Sequence, residues 1–482
     1  MLHIPSAALS RLRSARHRVG FALSLLGLLW PQVPHAQQPN PETLRLADVY
    51  EQVATRNPRF AAASALARAA NARIPSAGLP PDPQVQLGWM NYSLPSLAPM
   101  ATLGMTQLQV MQMLPLAGKL GLNRGIAASR AEAEQWRASD AGWEARTAAA
   151  MAFFEVYQTD EALRVMRETL RLVQEIASIA ETMYRVGEGR QTDVLRARVE
   201  IARMVEDTLR MTAMRTAMAA RLNAVLDRPA STPVPHPVLP QFPASNPAEA
   251  TLDSLALRNR PMIQAGVHEL AAADRMTRLA RRELIPDLTV GIQYGQRGSS
   301  GTGADGMAAG GTERMGSLMF GASVPVFARS RQYKLREEAE AMRAMARADL
   351  AAMQADTRGR ITEALANLQR AQNLSALYRS TILPQAEATV ASALAAYRVG
   401  TVDFMTLLDN RMTVNRFRQD LAVLEADEGK AWAELEMLTG RDLGIAETTP
   451  APRATPRALP TNASGSAPTP FPAVPATERV IP

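Results

Sequence analysis

Cysteine is absent from all 482 residues, which excludes disulfides, thiolate metal sites and a lipid anchor carried on an N-terminal cysteine. Histidine is scarce. Of the five present, His3, His17 and His35 fall before Ala36, leaving His236 in a Pro-rich stretch and His268 alone in a helical pattern. No cluster of His or carboxylate residues has metal-ligand spacing, and no nucleophile stands beside a base in a recognisable motif. The chain therefore reads as no enzyme, with no cofactor and no metal site. The Gly-rich stretch 296–316 lacks the Gly-Lys-Ser/Thr ending that a phosphate cradle requires.

A long apolar run is also missing near the N-terminus, where Val19 to Trp30 is too short to span a bilayer. Preceded by Arg11, Arg13, Arg16 and Arg18, that run reads as the core of a secretory signal over residues 1–36, cleaved after Ala36. Without those four arginines the formal net charge falls from +7 to +3. A nearly balanced surface with no block of Lys and Arg excludes nucleic acid as a partner.

What the chain does have is apolar content typical of a folded protein, 47% hydrophobic residues against 21% charged, and an internal repeat. YRVG occurs at 184–187 and again at 397–400. Three further landmarks pair in the same order: ATRNPRF (54–60) with LRNRPMI (257–263), LPPDPQVQLGW (79–89) with LIPDLTVGIQY (284–294), and MLPLAGK (113–119) with SVPVFAR (323–329). Their offsets grow from 203 through 205 and 210 to 213, so the second copy carries a longer insertion between its strand landmarks. The boundaries that follow are a first repeat over 42–228, a Pro-rich linker over 229–248 and a second repeat over 249–443. The Pro- and Ala-rich tail, 444–482, has too few large apolar residues to order itself.

Within each repeat the pattern reads helix, strand, loop, strand, long helix, YRVG turn, helix. Val85, Leu87 and Trp89 alternate with Gln84, Gln86 and Gly88, the two-residue period of a strand with unlike faces. Leu108 and Val110 alternate with Gln107 and Gln109, Val290 and Ile292 with Gly291 and Gln293, and Leu318 and Phe320 with Met319 and Gly321. A half-buried soluble sheet would show the same alternation. Export and the long Gly-rich loop at 296–316 favour a membrane barrel, apolar outward and polar into the lumen. Four strands leave unpaired edges that lipid cannot satisfy, so closure requires several subunits.

Residues 123–183 contain no proline and are dense in Ala, Glu, Arg, Met and Leu, enough for a rod of roughly 90 Å. Leu163, Met166, Leu170, Val173, Ile176, Ala180 and Met183 step by threes and fours, a seam for a neighbouring helix. Ile361, Leu365, Leu368, Ala371, Leu374 and Tyr378 do the same in the second copy, ahead of a break or kink expected at Pro384. A coiled-coil scaffold would have such seams but no need of lipid-facing strands. Gly187 and Gly400 suit left-handed helix C-caps, and Thr192, Asp193 and Asp403 are capping-type residues for the helix that follows. YRVG is therefore a tip where a rod folds back.

Taken together, the doubled YRVG with a Leu eleven residues past each Tyr (Leu195, Leu408), the Pro-Asp strand starts and the LP-x-x-GK return at 114–119 resemble the TolC family of outer-membrane efflux channels. The likeness covers about residues 42–443 and is greatest to its heavy-metal efflux (CusC/CzcC-like) branch. It implies a mainly helical fold with membrane β-structure: a homotrimer whose four strands per subunit form a twelve-stranded outer-membrane barrel, above a periplasmic helical barrel. It implies a passive exit duct of a tripartite pump. Its partners would be a periplasmic adaptor, an inner-membrane pump of the resistance-nodulation-division type and outer-membrane lipid. By the same resemblance Asp193 and Asp409 would narrow the pore, and Tyr184, Gly187, Tyr397 and Gly400 would contact the adaptor. Thr406 stands where a second copy of Asp193 is expected. Helix capping and solvation are the competing roles for those two acids.

Two other readings stay open: the exit duct of a type I protein secretion system, and a periplasmic coiled-coil adaptor, which would carry one hairpin and not two strand pairs. Methionine numbers 24, with Met90, Met100, Met105, Met111 and Met113 near the first strand pair and Met307, Met315 and Met319 near the second. Thioethers suit Cu(I), although apolar filling is their commoner use.

Overall fold

A run of sequence with no proline should give one unbroken helix, and in a computed structural model it does. The structure describes residues 43–93, 98–99, 104–243, 245–302 and 308–444. The expected leader, the tail beyond Gly444, and Met100 and Met307 lie outside the described residues. Strand β1 (Thr43–Leu44) leads into α1 (Leu46–Arg56) and α2 (Pro58–Ala77). Asn57 divides the two helices: its side chain accepts from the amides of Arg59 at 2.9 Å and Phe60 at 3.3 Å, and Pro58 occupies the first helical position. Then come β2 (Gln84–Met90), β3 (Tyr92–Ser93), β4 (Ala98–Pro99) and β5 (Met105–Leu114).

Helix α3 (Lys119–Arg185) is 67 residues long, about 100 Å at 1.5 Å per residue. It returns as α4 (Gln191–Val225), followed by β6 (His236–Pro237), which pairs in parallel with β1. The order of elements then recurs as α5 (Glu249–Asn259), α6 (Pro261–Arg282), β7 (Leu288–Thr302), β8 (Ala308–Ala322), α7 (Gln332–Leu377), α8 (Leu383–Arg398) and α9 (Phe404–Thr439). Helix α3 packs on α1, α2, α4, α6 and α9, while α7 packs on α5, α6 and α9.

Two expectations change and one takes a particular form. The stretch 296–316 is not a plain loop, because β7 runs on to Thr302 and β8 begins at Ala308. Antiparallel pairing there satisfies backbone groups that a loop would leave to solvent, and this outweighs the poor strand propensity of its glycines. The break expected at Pro384 is present, as a π-helical widening between two α-helical segments. That turn, Tyr378–Ile382, precedes the proline, and the amide of Leu383 donates to the Tyr378 carbonyl. Pro384 offers no N–H to the previous turn, so the chain widens one turn and resumes with proline near the start of α8. Asp403 caps α9 by accepting from the Thr406 amide at 3.4 Å, but Asp193 and Thr192 cap nothing: α4 follows Arg190 without a side-chain cap, and both residues lie inside its first turn.

The larger core gathers Trp432, Phe153, Phe154, Leu222, Leu252, Leu368 and Leu435 from α3, α4, α5, α7 and α9. Phe153 and Phe154 meet edge to face at 5.3 Å. Gly429 of α9 faces the Phe154 ring so closely that a β-carbon there would overlap it. The seams read from the sequence are filled: Leu163, Val173, Ile176 and Ala180 of α3 and Ile361, Leu368 and Ala371 of α7 are all buried.

Candidate functional site

Two places in the molecule carry features that packing alone does not explain. The first is the sheet. β2, β5, β7 and β8 pair antiparallel in that order, so β5 lies between its own hairpin partner and the first strand of the second pair. Both outer strands, β2 and β8, end the sheet. Register sorts the side chains: Leu87 lies across from Leu108, Leu108 from Tyr294, Val110 from Ile292, and Ile292 from Leu318. That face, with Val85, Trp89, Val290 and Phe320, is apolar and open, Leu87 being 57%, Leu318 62% and Phe320 69% exposed. A soluble sheet would bury it against helices. The opposite face carries Gln86, Gln107, Gln109 and Gln293, and Gln293 donates to the Gln107 side chain at 2.6 Å.

A buried lysine fixes the base of this sheet. Lys119, the last residue of LP-x-x-GK, is 3% exposed. Its Nζ lies 2.8 Å from Asp287 Oδ1, 2.9 Å from the Ile285 carbonyl and 3.6 Å from Glu283. Asp287 also accepts from the Leu116 amide at 3.3 Å. Two motifs noticed separately in the sequence are thus one contact, joining the return of β5 to the entry of β7. A buried charge so paired is costly to leave alone.

The second place is the pair of tips. After α3, Gly187 has φ +83° and the Glu188 amide donates to the Met183 carbonyl at 2.9 Å. After α8, Gly400 has φ +74° and the Thr401 amide donates to the Ala396 carbonyl at 3.0 Å. Both are Schellman closures, in which only glycine adopts the left-handed residue cheaply. Beneath them Val173, Ile176, Ala197, Ala393, Phe404 and Leu407 form a separate core from all four tip helices.

The two YRVG copies have diverged in use. Tyr184 is 44% exposed, whereas Tyr397 is 4% exposed and stacks edgewise on Phe404 at 5.9 Å. Tyr397 therefore serves the tip core, and its side chain is withdrawn from the contact surface expected of it. Val186 and Val399, at 66% and 73%, are the apolar groups that do face outward, and the sequence reading passed over them although they lie inside the motif. Leu195 is open while Leu408 is buried, a second divergence between matched positions. Asp193 is half-buried, close enough to Tyr397 for its charge, after burial, to raise that phenol. Asp409 is exposed on the second turn of α9. Behind the tips Arg418 of α9 bridges Glu168 of α3 at 2.8 Å and Glu387 of α8 at 2.6 Å, and Thr169 donates to Asn415 at 3.0 Å.

His268 pairs with Glu132 at 2.8 Å and His236 with Asp160 at 3.2 Å. Among the described residues no group of three or more His, Asp or Glu side chains could hold a metal ion, and no helix is long and apolar enough to cross a membrane.

The outer membrane efflux protein family matches the chain twice, over residues 49–227 and 252–441. No curated protein matches it. Solved structures do. CusC superposes with a TM-score of 0.69 at 17% identity, over 82% of this chain and 92% of that one. VceC of Vibrio cholerae gives 0.68 at 18%, over 82% and 96%. The open state of MtrE of Neisseria gonorrhoeae gives 0.68 at 17%, over 84% and 91%. The chain belongs to the outer membrane efflux protein family. It is an outer-membrane efflux channel with a periplasmic helical extension and not an enzyme, which sets aside the adaptor reading.

Proposed function

We propose that this channel is the exit duct of a tripartite efflux pump, in which three copies of the chain join their sheets into one barrel and their helices into one tube. The observation that carries this is the sheet itself: one open apolar face and two unpaired edges, β2 and β8. In lipid an unpaired edge costs several kcal/mol per unsatisfied group, and joining β8 of one copy to β2 of the next removes every edge. The recurrence of the element order supports a duplicated protomer with four strands per copy.

A second apolar surface points the same way. Leu195, Val199, Val205, Leu209 and Met214 of α4 are all exposed and fall within one side of that helix. A neighbouring copy buries them. The tips, with Val186, Val399, Tyr184 and the two glycine turns, are the surface for a periplasmic adaptor, and an inner-membrane pump drives the flow. Asp193 and Asp409 narrow the pore behind the tips, where a threefold set of carboxylates favours cations. Small substrates are the cargo, with heavy-metal cations the class that the sequence resemblance supports.

Fractionation followed by native mass spectrometry in mild detergent tests the duct. A trimer from the outer membrane is expected, and a soluble periplasmic monomer would overturn it. In planar bilayers Asp409→Asn should lower the preference for K+ over Cl− and raise conductance. Unchanged selectivity in both Asp409→Asn and Asp193→Asn would remove these acids from the pore.

A further inference from the structure

Lys119 and Asp287 close one joint between strand pairs, and the internal repeat places the same two charges at the open ends of the sheet. Residues 113–119 align with 323–329 and residues 79–89 with 284–294, so Arg329 answers Lys119 and Asp82 answers Asp287. Lys119 follows β5 and Asp287 precedes β7, two strands hydrogen-bonded to each other. Arg329 follows β8 and Asp82 precedes β2, the strands that end the sheet. Among the described residues neither Arg329 nor Asp82 has an ion pair, and both are exposed where Lys119 is buried. One joint is made inside the chain and its counterpart is left open.

The apolar residues around the two charges are uncovered in the same way. Leu79, 64% exposed, answers the half-buried Leu284, and Val324, 68% exposed, answers Leu114 at 38%. In the closed joint Met113 lies across from Thr289, Val110 from Ile292 and Leu108 from Tyr294. Carried onto the outer strands by the same alignment, that register sets Ser323 opposite Gln84, Phe320 opposite Leu87 and Leu318 opposite Trp89. Apolar residues then meet apolar ones, and the polar faces run on without a break. A slip of one residue would turn every side chain of one strand to the wrong face.

Resting on the reading of the chain as a trimeric duct, we infer that Arg329 of each copy pairs with Asp82 of the next copy, in the register that sets Ser323 beside Gln84. The partner is a second copy of this chain, because only it presents a β2 edge with an unpaired carboxylate at its start. Arginine in place of lysine suits a joint between separate chains, since its planar fork can hold a carboxylate by two hydrogen bonds at once. Lys119 also donates to the Ile285 carbonyl at 2.9 Å, and Pro80, which answers Ile285, keeps a carbonyl that can accept. The charge pair fixes which residues meet where β8, with Gly316 and Gly321, has few side chains to do so.

The test exploits the absence of native cysteine. The full-length protein with Ser323→Cys and Gln84→Cys, oxidised in outer membranes, should run as a covalent trimer on denaturing gels without reductant. Ser323→Cys with Gly88→Cys, displaced by roughly 13 Å along the strand, lies beyond disulfide reach and should not. Arg329→Asp sets two carboxylates together at each joint and should lower the temperature at which the trimer dissociates in mild detergent by several degrees. Adding Asp82→Arg should return it to the wild-type temperature. If Arg329→Asp fails to fold, Arg329→Gln replaces it, with a smaller shift in the same direction. Native mass spectrometry of the wild type separates the two readings. A trimer that cross-links only at the displaced pair, or at neither, or that keeps its dissociation temperature in the Arg329 variant, removes this joint and keeps the duct. A monomer removes the duct and the joint with it.

Discussion

Gly429 and Glu436, seven residues apart on α9, show how much single positions decide. Phe154 occupies the space where a β-carbon on Gly429 would stand, and both are buried in the main core. Gly429→Ala should destabilise the protein by about 1–3 kcal/mol through overpacking, measured as a lowered Tm, and Gly429→Ala with Phe154→Leu should recover part of it. Glu436 is 1% exposed, its Oε2 3.0 Å from Arg146 and its Oε1 2.9 Å from the Leu443 amide. Burial pushes this carboxyl from 4.5 up to about 7, against the pull of Arg146. Asp442 competes for the same guanidinium at 3.1 Å and is held below its usual value. An acid with a raised folded pKa binds its proton more tightly when folded, so stability is lost as pH rises from about 4.5 through about 7. Across that window Glu436→Gln should remove a slope of about 3 kcal/mol, read as Tm against pH. A slope unchanged in the variant would assign the effect elsewhere. Nothing in local sequence marks either position, because their neighbours come from α3 and the turn after α9.

At the scale of elements, periodicity carried most of the information. The long helix, the two strand pairs, the glycine turns and the restarts at Gln191 and Phe404 all follow from where apolar residues recur and where proline and glycine stand. Two elements went further than propensity suggests. β7 and β8 extend through a Gly-rich stretch because each pairs with the other along its whole length. The turn before Pro384 widens to a π-helix where proline removes a donor, and neighbours on α9 keep the helix in line: Tyr378 stacks on Phe417 at 5.8 Å and Arg379 pairs with Glu425 at 2.6 Å. Pro384→Ala restores the missing donor and should slow amide exchange over 379–384 several-fold, with the tip unchanged. Exchange as fast as in the native chain would assign the π turn to these side-chain contacts and not to proline.

For the whole molecule the decisive feature is apolar surface with no covering element. The open sheet face and the exposed side of α4 present several large apolar side chains to solvent, the mark of a surface that another element or copy covers. Leu209, 67% exposed, stands on that helix surface and belongs to neither described core. Leu209→Glu should leave the helical content of the monomer intact and shift native mass spectra from trimer toward monomer. A fully trimeric variant would place the subunit contact on another face.

The sequence by itself determined the class of elements, their order, the position of the tips and the separation of apolar from polar on each strand. Those follow from period, proline and glycine, which act on a chain locally. Tertiary structure decided which copy of each matched pair faces out. Tyr184 and Leu195 are open where Tyr397 and Leu408 are buried, the latter two packing in the tip core with Ala393, Phe404 and Leu407. It also decided that Lys119 meets Asp287 and that Arg418 joins three helices. Contacts between residues more than a hundred positions apart depend on register and packing, which no local pattern encodes.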